Sequence, residues 1–329
     1  MKTYLAGLLL CSVGAAAAVL VNRAVPEVSA LLMAILLGAV LANATTPPAS
    51  WQPGVGFASK KLLRAGIVLL GLQLVLGDIW ALGAPMVAVV VAVVVLGVAG
   101  GLLVGHLLCL GRNLSLLIAS GFSICGAAAV AGVDSVIEAD ERDVATAIAL
   151  VVLFGTGMIP LVPLLAGLFG LGEYTSGLWA GASIHEVAQV VAAGAALGPE
   201  ALKVSVVVKL ARVLMLAPLT VAIGWWLRRG HAAEATPGNQ ARARQPLVPL
   251  FVLGFLAMVA VASLHLLPHD VLAVAKLVQT ALLAAAMFAL GMGVRLRTLA
   301  KVGPRPFVLG ALTTCWVASI ALAGVVLTR

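Results

Sequence analysis

Apolar runs close to the length of a bilayer crossing follow one another along almost the whole of a 329-residue chain. A helix crosses the hydrocarbon layer with about 20 apolar residues. Segments of that kind fall at 3–22, 27–42, 60–77, 84–108, 113–136, 143–169, 174–196, 200–228, 246–266, 271–293 and 304–328. A chain that is 63% hydrophobic and 10% charged has more apolar side chain than one soluble core can hide, so lipid is its natural solvent. The runs are unbroken rather than alternating, which excludes an outer-membrane barrel. The expected fold is therefore an all-α polytopic membrane protein with 10–11, most simply 11, transmembrane helices. The lipid bilayer is its first partner.

The charges give an orientation. With eleven crossings and a cytoplasmic N-terminus, thirteen Lys and Arg residues fall on the cytoplasmic side. Arg23, Arg142, Lys203, Lys276 and Arg329 fall on the other. Cytoplasmic loops carry the excess of Lys and Arg, so the net charge of +8 reflects topology and not nucleic acid. On this path the acidic loop 134–143 faces the periplasm of a bacterial inner membrane. The apolar stretch after Lys2 is read as a retained first helix rather than a cleaved signal. Cys11, Cys109, Cys125 and Cys315 are widely spaced in apolar segments and form neither a disulfide framework nor a metal set.

Two internal similarities stand out. Leu62, Leu63, Leu70, Gly71, Leu76 and Gly83 match Leu282, Leu283, Leu290, Gly291, Leu296 and Gly303 at a constant spacing. The two helices concerned run in opposite directions, and inverted repeats mark secondary transporters. Gly121-Phe122-Ser123-Ile124-Cys125 resembles Gly181-Ala182-Ser183-Ile184-His185. With eleven crossings those two copies run the same way, which conflicts with inversion unless one of them is re-entrant. The chain is read as one membrane domain, 1–329. It has a first repeat region at 27–169, a second interrupted-helix region at 174–228, a cytoplasmic loop at 229–246, and helices at 246–328 that partly repeat 27–108.

Polar residues inside apolar spans are costly and are functional candidates by default. Ser120-Gly121-Phe122-Ser123-Ile124-Cys125-Gly126 has the small and hydroxylic residues of an unwound point, so an interruption is expected near 121–126. A half-helix starting near Ser123 would present backbone N–H groups to an anion. A second interruption is expected near 181–186, where Ser183, His185, Glu186 and Gln189 cluster. Glu186 is the one acidic residue well inside an apolar segment. His185-Glu186-Val187-Ala188-Gln189 misses the zinc-protease pattern because Gln189 replaces the second histidine. Ser205, Lys209 and Arg212 share a helix face. The cations either need Glu186 and an anionic substrate as counter-charges, or else Lys209 reaches an interface and Arg212 caps backbone carbonyls.

Three stretches resemble the YeiH-type family of bacterial membrane proteins, a family named for sulfate export. They are 51–71 (from Trp51-Gln52-Pro53-Gly54), 123–129 (Ser123-Ile124-Cys125-Gly126) and 183–194 (Ser183-Ile184-His185-Glu186). The element Lys209-Leu210-Ala211-Arg212 is similar too. The resemblance implies an inverted-repeat transporter fold shared with bile-acid symporters and cation–proton antiporters. It also implies export of a small anion such as sulfate, sulfite or a sulfonate. In this reading Ser123, Cys125, Gly126, Ser183, Lys209 and Arg212 bind the anion, while His185, Glu186 and Gln189 carry the coupling ion, H+ or Na+. No cofactor is implied, and a homodimer is a further expectation. The rivals are a sodium-coupled carrier of an organic anion and an intramembrane enzyme or sensor, for which Cys125 with His185 is the available couple.

Overall fold

The computed structural model describes residues 2–24, 30–45, 47–232, 250–293 and 303–328. These residues form helices throughout. Six of the helices are long and apolar enough to cross a membrane, and several shorter apolar ones accompany them. The part of the expected 229–246 loop beyond Ala232 lies outside the described residues, as do Arg242, Arg244, Arg295, Arg297, Lys301 and Arg329 of the charge count.

The path of the chain can be followed from side-chain contacts. Helix α1 (Lys2–Ala24) starts beside α3 (Gln52–Phe57): the Tyr4 and Phe57 rings meet at 5.8 Å, and Gly7 lies on the backbone of Trp51 and Gly54. This end of the bundle is the first face. Helix α2 (Ala30–Ala44) returns to it. From there α3, a π-helical turn at Ala58–Leu62 and α4 (Leu63–Leu70) rise to the second face. The rise ends at an extended break, Leu74-Val75. Helix α5 (Leu76–Ala81) opens there, with the Leu76 N–H donating to Ser263 Oγ at 3.0 Å.

Helix α6 (Gly83–Leu107) returns to the first face and organises the helices packed around it. Gly97, Gly101 and Gly105 recur one turn apart, and bare Cα positions let helices approach closely where water gives no drive. They receive Ser123, Ala119 and Ser115 of α7 (Arg112–Ser123) on one side. On the other they receive Val317, Thr313 and Leu309 of α16 (Arg305–Leu327). The rising numbers on α6 meet falling numbers on both neighbours. Helix α7 therefore enters from the first face and stops level with the middle of α6.

The chain then turns back. Helix α8 (Ala127–Ile137) ends in a left-handed Glu138, φ 50°, and α9 (Glu141–Leu168) begins three residues later. Glu141 lies 3.8 Å from Lys60, on the π-helical turn near the first face. Helix α9 leaves from that face and reaches the second, where Phe169 meets Trp179 and the Trp179 indole donates to Ala318 O at 3.0 Å. Helix α10 (Glu173–Ser183) enters from the second face, and α11 (Val187–Leu197) goes back to it. Glu173 Oε1 ties the open end by accepting the Glu200 and Ala201 N–H groups at 2.8 and 3.4 Å. Helix α12 (Pro199–Leu214) lies along both arms, with Gly177 and Gly181 against Ala201 and Ser205, and Gly194 against Leu202. Helix α13 (Leu216–Ala232) continues to the first face, where the Arg112 guanidinium lies 3.6 Å over the Trp226 ring. Helix α14 (Leu250–Ser263) ascends, α15 (His269–Gly293) descends with Leu283 packed on Gly66 of α4, and α16 ascends.

Two expectations are corrected. Among the described residues, two of the expected crossings, 113–136 and 174–196, are instead pairs of half-length arms that fold back on themselves, α7–α8 and α10–α11. The acidic stretch 134–143 and Arg142 consequently lie on the first face, not opposite it. An arm of 11 or 12 residues is about 17 Å long, half a bilayer. Two arms in series match one crossing in length, and hydropathy does not register the reversal. The hairpins also remove the conflict over direction, because α7 and α10 enter from opposite faces. Their second arms, Ala127–Ile137 and Val187–Leu197, stand 60 residues apart at both ends.

Cysteines placed at Asp140 and Lys61, in a background with Cys109 and Cys315 replaced by serine, should react with an impermeant maleimide from one side of the membrane. Cysteines at Tyr174 and Lys203 should react from the other. Labelling of the Asp140 position from the Tyr174 side would restore the eleven-crossing path.

Candidate functional site

The hairpin tips meet in the interior. The first is Ile124-Cys125-Gly126, between α7 and α8. The second is Ile184-His185-Glu186, between α10 and α11. Interrupting a helix at depth leaves carbonyls free at the C-terminal end of one arm and N–H groups free at the N-terminal end of the next. Both kinds of orphan would be costly away from water. The site is the way these ends are satisfied.

The carbonyl ends belong to α7 and α10, and α12 supplies their partners. Lys209 Nζ donates to Ile124 O and Ile184 O, each at 2.7 Å. Arg212 spreads over both tips. Its Nε donates to Ser123 O at 3.1 Å, Nη2 to Phe122 O at 3.0 Å, and Nη1 to Ala182 O at 2.7 Å, with Ile184 O and Gly181 O at 3.1 and 3.3 Å. Both side chains are fully buried. Each cation also sits where two helix dipoles present their negative ends. The N–H ends belong to α8 and α11, and one carboxylate serves both. Glu186 Oε1 accepts the Ala127 N–H, the first of α8, at 3.1 Å. The same side chain accepts the Gln189 N–H of α11, while Gln189 Oε1 accepts the Glu186 N–H at 3.1 Å, forming a reciprocal capping box. Cations hold the carbonyl ends and an anion holds the amide ends, so the crossing is electrostatically matched within the protein.

His185 ties the crossing to α16. Its Nδ1 lies 3.2 Å from Phe122 O and its Nε2 lies 3.0 Å from Thr314 Oγ1, and the Phe122 ring covers the imidazole at 4.4 Å. Ser183 Oγ, fully buried, donates to Trp179 O within its own helix. Ser123 Oγ is buried against Gly97 and has no hydrogen-bond partner. Gln189 Nε2, against Gly155, is likewise unpartnered. Cys125 is buried at the first tip. Among the described residues no three His, Cys, Asp or Glu side chains converge as metal ligands.

The structure thus brings together Ser123, Cys125, Gly126, His185, Glu186, Gln189, Lys209 and Arg212. Arg212 caps backbone carbonyls, one of the two roles the sequence leaves open for it; Lys209 does the same at depth instead of reaching an interface, and no ion pair joins either to Glu186. The structure also moves the half-helix start from Ser123, which ends α7, to Ala127. The Ala127 N–H, the Phe122 carbonyl and Thr314 were not anticipated. A backbone group has no signature in a sequence, but the adjacent pair Thr313-Thr314 in an otherwise apolar helix was a usable signal.

A family model described as Conserved hypothetical protein 698 matches residues 6–310. The chain belongs to this family. It is the YeiH-type family of membrane proteins, as the motifs at the two tips implied. A UPF0324 membrane protein of Corynebacterium glutamicum is 53% identical, covering 100% of this chain and 94% of its own length. Another family member, a UPF0324 membrane protein of Pseudomonas aeruginosa, is 38% identical over 100% of this chain and 95% of its own. One from Bacteroides thetaiotaomicron is 36% identical over 88% and 86%. No solved structure matches the chain.

Proposed function

We propose that the protein is a secondary active transporter of the cytoplasmic membrane, exporting a small anion of the sulfate, sulfite or sulfonate kind with proton coupling through Glu186. One observation carries this reading: a carboxylate, 6% exposed, bridges the N-termini of two half-length helices, α8 and α11, that start at depth and return to opposite faces. An ionisable group at such a point is costly unless it is used. Opposed half-helices meeting at depth are the arrangement by which carriers hold an ion while access alternates.

The two faces present different features. On the first, Lys60 of the π-helical turn approaches Glu141. On the second, a cavity of about 590 Å³ opens between α5 and α12, lined by Gln73, Asp78, Tyr174, Glu200, Lys203 and Leu210 among others. The charge pattern supports a cytoplasmic first face. Lys60, Lys61, Arg64, Arg112, Arg142 and Arg305 belong to it, against Arg23, Lys203 and Lys276. Both ring nitrogens of His185 are occupied, leaving none to activate the Cys125 thiol, which weighs against the enzyme reading.

The test is flux in proteoliposomes loaded with sulfate, sulfite or taurine, under an imposed pH gradient and then a sodium gradient. The expected result is flux driven by the pH gradient and lost in Glu186→Gln. Flux that follows sodium instead would replace the proton as the coupling ion. Equal flux in the native chain and the variant would remove Glu186 from the mechanism.

A further inference from the structure

Both cations and the carboxylate at the crossing already bond to the protein's own backbone, so the cargo has no vacant place there while Glu186 stays where it is. Two helices of 11 residues each direct an amide of their first turn, Ala127 N–H in α8 and Gln189 N–H in α11, at one carboxylate. Such a pair of N-termini is an anion site whoever occupies it. A further donor stands beside it without a partner: Gln189 Nε2, in a fully buried side chain of the capping box. A lone carboxylate that bonds Ala127 N and Gln189 N leaves that amide unused, and a larger oxyanion has oxygens to spare. We propose that Glu186 is an internal competitor: its carboxylate occupies the oxyanion site made by the Ala127 and Gln189 N–H groups and Gln189 Nε2, and the cargo enters when Glu186 is protonated and withdraws. This rests on the carrier reading and assigns its binding site.

The exchange balances. A proton neutralises the carboxylate, the neutral acid loses its charge-assisted bonds to the two amides, and a tetrahedral or pyramidal oxyanion forms them instead. Lys209 and Arg212, from α12, contribute positive potential while their N–H groups remain on the carbonyl ends. His185 on the same tip and Cys125 on the opposite one are the other titratable groups at the crossing. Gly126, with φ 75° and no side chain, lets the Glu186 side chain lie directly against its backbone, where a β-carbon would overlap it.

The mechanism links anion affinity to pH. One proton taken up per anion makes affinity rise about tenfold for each pH unit of acidification, over the range where Glu186 is ionised without cargo. The experiment is equilibrium binding of radiolabelled sulfate, sulfite and taurine to purified protein from acid to alkaline pH, on either side of neutrality. The native chain should bind one of these more tightly as pH falls. Glu186→Ala should bind it with no pH dependence, and more tightly than the native chain at alkaline pH. Glu186→Gln keeps an oxygen for both helix ends, so it guards against a folding defect in the alanine variant. As a neutral stand-in for the protonated acid, it should bind about as tightly as the native chain does at acid pH, also without pH dependence. In the Glu186→Ala background, Ala127→Pro removes one donor at the first position of α8, which tolerates proline. It should weaken binding about tenfold or more. The site is wrong if Glu186→Ala keeps the native pH dependence, if it binds none of the three anions while remaining monodisperse, or if Ala127→Pro leaves its affinity unchanged. Binding needs no transport, so pH-linked binding without flux would sink the carrier reading and leave the site standing.

Discussion

Arg212→Ala should collapse the stability of the protein. The guanidinium reaches five carbonyls drawn from both hairpins. Its loss strips the C-terminal ends of α7 and α10 together, at a depth where water cannot replace it at low cost. Removing one partner from a buried charged network costs about 3–5 kcal/mol, and a domain's net stability is only about 5–15 kcal/mol. Arg212→Lys should rescue little, because one ammonium cannot span the fork of contacts that a planar guanidinium makes. Thermal denaturation of detergent-purified protein, followed by loss of monodispersity, reads the effect directly. A variant melting with the native chain would show that Lys209 alone holds the crossing.

Gly126→Ala should be the next most damaging single change, through the backbone and through Glu186 at once. Gly126 has φ 75° and ψ −133°, a region closed to residues with a β-carbon. Strain of that kind costs about 1–3 kcal/mol. The added methyl would also overlap the Glu186 side chain and push its carboxylate from the Ala127 N–H. The two parts separate in a double-mutant cycle. Combining Gly126→Ala with Glu186→Ala should recover the steric part, measured as melting temperature, and leave the backbone part. Strict additivity of the two changes would mean that Gly126 and Glu186 do not touch.

Much of this was legible in the sequence, and the failures have physical reasons. The bilayer as solvent follows from Gly83–Leu107 or Arg305–Leu327 alone, each an apolar run of spanning length. The interruptions could be placed because Gly121, Ser123 and Gly126, and likewise Gly181 and Ser183, are poor choices for the middle of a buried helix. That each interruption is a reversal could not be read, since two arms of half a bilayer sum to one crossing. The similarity between 121–125 and 181–185 held the clue, because it fits inversion only if the arms fold back. Glu186 and Gln189 were singled out for their polarity. Their spacing of three is also that of a capping box, with Glu at the cap position. Capping by Arg212 was one of two roles left open and capping by Lys209 was missed, because their partners are carbonyls of Phe122, Ser123, Ile124, Ala182 and Ile184, and main-chain oxygens look the same under every side chain.

The clamp on both tips is made from the part of the chain that the ribosome delivers later. When α7 and α8 emerge, Lys209 and Arg212 have not been synthesised, and the carbonyls of Phe122, Ser123 and Ile124 have nothing to bond in hydrocarbon. The first hairpin must therefore wait at the lipid headgroups, or inside the insertion machinery, until α12 arrives. Biogenesis of this membrane protein is thus not a succession of helices threaded one by one, and a nascent chain released before residue 212 would be left with its first hairpin stranded and open to quality-control proteases.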